Sequence, residues 1–131
     1  MNDLESMLDQ DGYDYTLDED GNFVVNLVFD DERCQHVELQ NLVAGNAGLQ
    51  VWHISSVACD DVAVLKEGVL RSCLKNSYRH SLGAWELRDA ELRFCVKTVV
   101  DYREASLRYL VNYVGAVADE FERKYIKADI N

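Results

Sequence analysis

Residues 107–125, LRYLVNYVGAVADEFERKY, decide the fold of this chain. Apolar side chains recur there at steps of three and four residues, which places them on one face of an α-helix. They are Leu107, Leu110, Val111, Val114, Val117, Ala118, Phe121 and Tyr125. A helix with such a stripe has to bury it, so we expect an apolar surface packed against it.

Two strand-like segments just before this helix can supply that surface. We expect strands over residues 83–88 and 91–100, joined by Asp89-Ala90. The second strand has two alternating sets, with Leu92, Phe94 and Val96 on one face and Arg93, Cys95 and Lys97 on the other. This alternation predicts a sheet with one buried face and one wetter face. Asp101 and Glu104 predict a capping box that opens the final helix.

The N-terminal half predicts a short helix followed by strands. Leu4, Met7 and Leu8 indicate a helix that ends near Gly12. Period-2 alternation on both sides of the turn at residues 18–22 predicts a β-hairpin. Its apolar positions are Tyr13, Tyr15 and Leu17 before the turn and Phe23, Val25, Leu27 and Phe29 after it. We expect further strands over residues 35–42 and 49–57, with a loop at residues 44–48.

A second helix is predicted from Asp60 or Asp61, as N-cap, to about Asn76. One of its faces carries Val62, Leu65, Val69 and Cys73, and Leu70 and Leu74 widen the apolar arc. Gly68 inside the helix weakens it by up to about 1 kcal/mol relative to alanine. This apolar arc is wider than a helix with one buried face needs. We therefore expect a dimer formed through this helix and a neighbouring strand.

The order of elements predicts an α+β fold in one domain over residues 1–131. We expect an antiparallel sheet of about five strands with helices packed on it, in the order α-β-β-β(-β)-α-β-β-α. The chain is long enough to bury a core, and 48% of its residues are apolar. No apolar run approaches the roughly 18–20 residues of a membrane helix, and the acidic N-terminus does not resemble a signal peptide. We therefore expect a cytoplasmic protein with no membrane partner.

Charge is distributed unevenly along the chain. Residues 1–61 carry fourteen Asp and Glu residues and one Arg, a formal charge of −13. Residues 62–131 carry ten acidic and twelve basic residues, +2, so the net charge is −11. Phosphate backbones repel such a chain, so we expect no nucleic-acid partner. The acidic half either provides solubility or offers a surface to a basic partner.

Residues with metal or catalytic chemistry form no recognised motif. The four cysteines, Cys34, Cys59, Cys73 and Cys95, form no CxxC pair, which favours buried free thiols over zinc ligation or disulfides. The acidic turn at residues 18–21 lacks the ligands of a calcium-binding EF-hand loop, and a weak divalent site at Asp30, Asp31 and Glu32 stays open. Cys34 and His36 share a strand face, for which a structural or surface role is favoured. We predict no catalytic, cofactor-binding or metal-binding residues and no cofactor.

A partner surface is the functional feature that the sequence favours most. Arg71, Lys75 and Arg79 recur every four residues; we interpret them as a solvated face, on which Glu67 pairs with Arg71. The aromatic residues best suited to an interface are Trp52, Tyr78, Trp85, Tyr109 and Tyr113, although tryptophans are more often core residues. For a partner or dimer surface we select Leu70, Leu74, Trp52, Tyr78 and Trp85.

Four segments carry a resemblance to a known group of proteins: residues 70–76, 81–87 (SLGAWEL), 91–94 (ELRF) and 117–122 (VADEFE). They resemble the YbjN-like and type III secretion chaperone-like (Tir chaperone-like) group of small bacterial domains. In that group a helix ends near an Asn, a glycine opens a strand pair, and an amphipathic helix closes the domain. The N-terminal half matches as a pattern of helix and hairpin.

This resemblance implies a non-enzymatic protein-binding or chaperone-like domain that tends to form homodimers and holds an extended segment of a partner or client protein. Two other functions stay open. The acidic half is compatible with an inhibitor of the immunity-protein type, which blocks a basic partner. A small enzyme or ligand-binding cup on a similar sheet would require a polar pocket.

Overall fold

The fold is built on one antiparallel sheet of six strands, one more than the expected number of about five. The computed structural model describes residues 3–29, 33–44, 49–99 and 106–126. The strands are β1 (Asp14–Leu17), β2 (Phe23–Val28), β3 (Cys34–Ala44), β4 (Leu49–Cys59), β5 (Ala84–Arg88) and β6 (Glu91–Thr98). They lie in the order β1-β2-β3-β4-β6-β5, so β1 and β5 are the two edges. The predicted α+β class is confirmed.

Local sequence determines the two hairpins at the sheet edges. In the first, β1 pairs with β2 from Asp14↔Asn26 to Leu17↔Phe23. The carboxylate of Asp18 closes the turn by accepting hydrogen bonds from the backbone N–H groups of Asp20 and Asn22, both at 2.9 Å. The acidic turn is therefore a hairpin turn, as predicted. In the second hairpin β5 pairs with β6 across Asp89-Ala90, and Asp89 takes a positive φ of 54°.

The central strands are longer than predicted, because β3 and β4 form a pair of eleven-residue strands. A register shift between Val57 and Cys59 marks a bulge where β4 pairs with β6. Ala58 and Cys59 are both buried at this bulge. The predicted loop at residues 44–48 lies almost wholly outside the described residues.

Helices α1 (Asp3–Gln10) and α3 (Ser106–Tyr125) pack on one face of the sheet, which we call the inner face. Six of the eight predicted stripe positions are buried, and the other two, Val117 and Tyr125, are half-buried. The buried six are Leu107, Leu110, Val111, Val114, Ala118 and Phe121. Gly115 lets α3 approach the sheet closely, since a Cβ there would lie 2.5 Å from Leu27 Cδ1. The capping box at Asp101 and Glu104 lies outside the described residues.

The prediction of one helix over residues 60–76 was wrong. Asp61 caps only a single 3₁₀ turn, Val62–Val64, and the α-helix α2 covers Val69–Lys75. Leu65 is extended and Gly68 has a left-handed φ of 87°, so the backbone leaves and re-enters helical geometry between them. Glycine takes that conformation without steric cost. A second 3₁₀ turn, Ser77–Arg79, follows α2. Among the helices of the described residues, none has the length and apolar character that crossing a membrane requires.

The opposite face of the sheet, the outer face, carries polar side chains. Arg93 lies near its centre and is mostly buried: it donates to Glu91 Oε1 at 3.0 Å and to Ser55 Oγ at 3.1 Å. It also lies 3.5 Å from Glu38 Oε2. One guanidinium group thus links β3, β4 and β6. The predicted alternation along β6 is confirmed, since Arg93, Cys95 and Lys97 all lie on this face, where Cys95 is buried.

Candidate functional site

A run of exposed side chains follows α2 and the 3₁₀ turn after it. Apolar and basic residues alternate along this run at steps of three and one positions. We call it the 71–82 surface; it consists of Arg71, Leu74, Lys75, Tyr78, Arg79 and Leu82. Tyr78 is 77% exposed, and the Arg79 guanidinium lies 5.8 Å from the centre of its ring. A contiguous exposed apolar patch with a polar rim is a mark of protein-binding surfaces.

Only two of the five residues predicted for a partner surface, Leu74 and Tyr78, are exposed. Trp52 is 4% exposed and belongs to the main core, so it forms no part of a surface. Leu70 and Trp85 are half-buried and pack against the smaller core cluster around Leu92 and Phe121. Of the two residues that widen the apolar arc of the second helix, Leu70 therefore covers this smaller cluster and Leu74 faces solvent.

The cations of the 71–82 surface are not neutralised by Glu67, as the sequence had suggested. Glu67 lies in the turn before Gly68, outside α2, so the four-residue helical spacing to Arg71 does not apply. No ion pair joins these two side chains. Because Arg71, Lys75 and Arg79 are exposed and lie on consecutive turns, this end of the molecule is locally basic.

The opposite end of the molecule is acidic. Here Tyr15 on β1 donates a hydrogen bond to Asp9 of α1 at 2.9 Å, and its hydroxyl lies 3.4 Å from Glu5. Desolvation and these two carboxylates raise the pKa of Tyr15 to about 12. Asp11, Asp14, Glu19 and Asp20 are exposed nearby along the chain. The charge asymmetry of the sequence is thus also an asymmetry between the two edges of the sheet.

The outer face brings together three side chains that could bind a metal ion: His53 of β4, Glu86 of β5 and Cys95 of β6. We call them the His–Glu–Cys cluster. His53 Nε2 lies 3.5 Å from Glu86 Oε2, and Cys95 Sγ lies 3.8 Å from the same oxygen. All three ligand atoms lie within 4.8 Å of one another. His53 and Cys95 are buried and Glu86 is half-buried.

Burial and neighbouring charges together determine the protonation of this cluster. It lowers the pKa of His53 despite the opposing effect of Glu86, so the imidazole is neutral near pH 7. For Glu86, burial alone would raise the pKa, but His53, Arg88 and Lys97 together lower it, and the carboxylate is ionised. Burial and then Glu86 raise the pKa of Cys95 to about 11. The thiol is therefore protonated and is not an activated nucleophile.

The neutral state of buried His53 predicts a pH dependence of stability. An unfolded chain protonates this histidine near its ordinary pKa of 6.5, whereas the folded chain does so only at lower pH. The free energy of unfolding should therefore fall as the pH drops below 6.5, with a slope of at most about 1.4 kcal/mol per pH unit from this one proton. Urea unfolding between pH 7.5 and 5 measures it.

His53→Gln should flatten this slope between pH 6.5 and 5, and His36→Gln is the matched control because His36 is exposed. Equal slopes in the wild type and His53→Gln would show that His53 does not contribute to the pH dependence.

Among the described residues, Cys34 and His36 belong to no group of three metal-ligating side chains. His36 Nδ1 lies 2.6 Å from Asn26 Oδ1, and both His36 and Cys34 are exposed on β3, as expected for a surface role. No disulfide joins any of the four cysteines, all of which lie among the described residues; Cys59 and Cys95 are buried as expected, whereas Cys73 is half-buried and Cys34 is exposed. Asp30, Asp31 and Glu32 lie outside the described residues.

The His–Glu–Cys cluster is not predictable from its residues alone, although each of them lies on a predicted strand. The two-residue turn between β5 and β6 determines their register, so Glu86 and Cys95 could have been recognised as diagonal neighbours. No comparable signal places His53 beside them, since β4 and β6 are separated by the misassigned helix.

Comparisons with known proteins do not assign the chain to a family. Neither a protein-family model nor a curated protein matches the chain. The geometry of the two sites described above therefore has to support any proposal about function.

Proposed function

We propose that the chain is a non-enzymatic, chaperone-like domain that binds an extended acidic and apolar segment of a partner protein on the 71–82 surface. The observation that carries this proposal is the alternation of exposed apolar and exposed basic side chains along Arg71–Leu82. Leu74, Tyr78 and Leu82 offer apolar contact area, and an aromatic side chain at such a position can provide a large share of binding energy.

Charge complementarity favours an acidic partner segment. Arg71, Lys75 and Arg79 can pair with carboxylates at the rim of the apolar contact, which speeds association and selects against basic segments. A homodimer through the same surface stays a prediction, and electrostatics oppose it. A two-fold axis through α2 would bring the three cations of each copy close together.

Fluorescence anisotropy with short labelled peptides tests the proposal. We expect an acidic peptide with alternating leucines to bind, and a basic peptide with the same apolar positions not to bind. Arg79→Glu should weaken binding of the acidic peptide by about tenfold or more, equivalent to at least about 1.4 kcal/mol. Arg108→Glu makes the same charge change at an exposed position of α3 outside the 71–82 surface, and should have little effect.

Equal weakening by both substitutions would mean that only net charge matters and would contradict the proposed surface. Light scattering of the free protein at micromolar concentration tests the homodimer. A mass that corresponds only to a monomer removes the dimer and leaves the peptide-binding proposal standing.

The acidic edge supports a second candidate, an inhibitor of the immunity-protein type that binds a basic partner. Its support is the cluster of carboxylates around Tyr15, two of which contact the phenol hydroxyl. Association with a basic protein should then weaken steeply as salt increases. Salt-independent association would argue against this function.

A further inference from the structure

We propose that His53, Glu86 and Cys95 bind a divalent metal ion of the zinc class, with one coordination position left open towards solvent. This site does not depend on the proposed function, because none of its residues belongs to the 71–82 surface. It rests on the geometry of three adjacent strands and on one buried ring nitrogen.

The sheet itself holds the three ligands. On the outer face His53 of β4 lies opposite Lys97 of β6, and Lys97 is two residues along β6 from Cys95. Cys95 in turn lies opposite Ala84 of β5, and Ala84 is two residues along β5 from Glu86. The ligands are thus successive diagonal neighbours across β4, β6 and β5. Side chains at such positions reach one another in an antiparallel sheet. Since both register steps are fixed by backbone pairing, the site is pre-organised.

The distances suit a tetrahedral ion after a small adjustment. Ligand atoms bound to zinc at about 2.0–2.3 Å and at tetrahedral angles lie roughly 3.3–3.7 Å apart. Here the nitrogen–oxygen and sulfur–oxygen separations are 3.5 and 3.8 Å. The remaining pair, His53 Nε2 and Cys95 Sγ, lies within 4.8 Å, so side-chain movement of about 1 Å at most completes the arrangement.

His53 Nε2 is an independent pointer to a ligand. The residue is 3% exposed, and this nitrogen has no hydrogen-bond partner among the described residues. Its 3.5 Å approach to Glu86 Oε2 is within ion-pair range but does not satisfy hydrogen-bond geometry. A buried polar atom without a partner is costly, and a metal bond to the imidazole lone pair would satisfy it.

The set of nitrogen, sulfur and carboxylate ligands selects the class of metal. Magnesium and calcium prefer all-oxygen sites, whereas zinc accepts histidine, cysteine and carboxylate together. The carboxylate and a thiolate carry two negative charges, so they neutralise a divalent ion. This neutrality matters because the cations Arg88 and Lys97 lie close to the cluster.

Arg88 orients the carboxylate ligand. Its guanidinium donates to Glu86 Oε1 at 2.9 Å, which leaves Oε2 directed at His53 and Cys95. Supporting contacts of this kind fix the position of a metal ligand. Beside the cluster is a pocket of about 320 Å³, lined by residues 83–86, Cys95 and Lys97. The pocket gives the ion an open fourth position for water or a small molecule.

Binding has a defined proton balance. Near neutral pH the imidazole is already unprotonated and the carboxylate already ionised, whereas the Cys95 thiol holds its proton. Formation of the metal–sulfur bond therefore replaces the S–H bond and releases one proton to solvent. Affinity should increase with pH for this reason.

Titration of the full chain with Co²⁺ under reducing conditions tests the proposal, since cobalt reports tetrahedral thiolate ligation by its absorption. We expect one equivalent to produce a thiolate-to-cobalt charge-transfer band and tetrahedral ligand-field bands, and Zn²⁺ to displace it. About one proton per ion should be released in weakly buffered solution.

Cys95→Ser should abolish the charge-transfer band, and the exposed-cysteine control Cys34→Ser should retain it. Glu86→Gln, at a half-buried position, should weaken binding by more than about 100-fold, beyond the loss typical of a supporting residue. Far-ultraviolet circular dichroism checks that each variant is folded. If Cys95→Ser is not folded, the cobalt affinity of Glu86→Gln decides whether the site exists. The proposal is overturned if wild type gives no thiolate band at saturating cobalt, if the band persists in folded Cys95→Ser, or if Glu86→Gln binds as tightly as wild type.

Discussion

Phe94→Ala is expected to lower the free energy of unfolding by about 3–5 kcal/mol, the range for removing a fully buried aromatic side chain. Phe94 is 0% exposed at the junction of β6, β5, α3 and the connection before β5. The centre of its ring lies 5.0 Å from that of His80, 5.1 Å from Trp85 and 5.6 Å from Tyr113. Alanine would leave a cavity that these rings cannot all fill. Urea unfolding at constant pH measures the loss.

Tyr109→Ala is the control for this substitution. Tyr109 also belongs to the aromatic group, stacked on Tyr113 with ring centres 6.1 Å apart, but it is 60% exposed. We expect its loss to cost less than about 1 kcal/mol, since most of the ring already faces water. Similar losses for the two variants would mean that the junction around Phe94 is not tightly packed.

Arg33→Met is expected to lower the free energy of unfolding by about 3 kcal/mol, since it leaves a buried carboxylate without its counter-ion. Arg33 Nε and Nη2 donate to the two carboxylate oxygens of Asp119 at 3.1 and 2.9 Å. Asp119 lies on α3 and is 5% exposed, so its carboxylate loses a two-point partner at a mostly buried position. This ion pair links the residue just before β3 to helix α3.

A double-mutant cycle with Asp119→Asn measures the pair itself. The variant that carries both changes should be more stable than the sum of the two single losses predicts, because no charge is then buried alone. Strict additivity of the two losses would show that the bidentate pair makes no net contribution.

The elements that the sequence predicted correctly are those controlled by local periodicity. The stripe from Leu107 to Tyr125 needs only apolar residues at steps of three and four. The two edge hairpins need only alternating apolar residues and a turn between the strands. The helix over residues 60–76 failed because its apolar spacing continues through Gly68 and hides a break in the backbone. Gly68, with its left-handed backbone, precedes the first residue of α2 and separates this helix from the 3₁₀ turn at Val62–Val64. The spacing of apolar residues does not detect such a change of backbone conformation.

The candidate sites depend on pairing between strands that are distant in sequence. Trp52 was assigned to a surface because its place depends on the β3–β4 and β4–β6 registers, which bury it. The β4–β6 register also places His53 near Cys95. Period-2 alternation assigns a residue to a face of the sheet, but only the register between strands tells which residues are neighbours on that face.

Ser77 occupies one of the backbone donors through which another molecule could pair with an edge of the sheet. Its Oγ accepts a hydrogen bond from the backbone N–H of Trp85 at 2.7 Å, and Trp85 belongs to the edge strand β5. Unpaired N–H groups on an edge strand invite a strand from another molecule and so promote aggregation. The acidic β1 end of one copy would attract the basic β5 end of another, which would extend the sheet without limit. One serine hydroxyl removes a donor that such a chain of molecules would need.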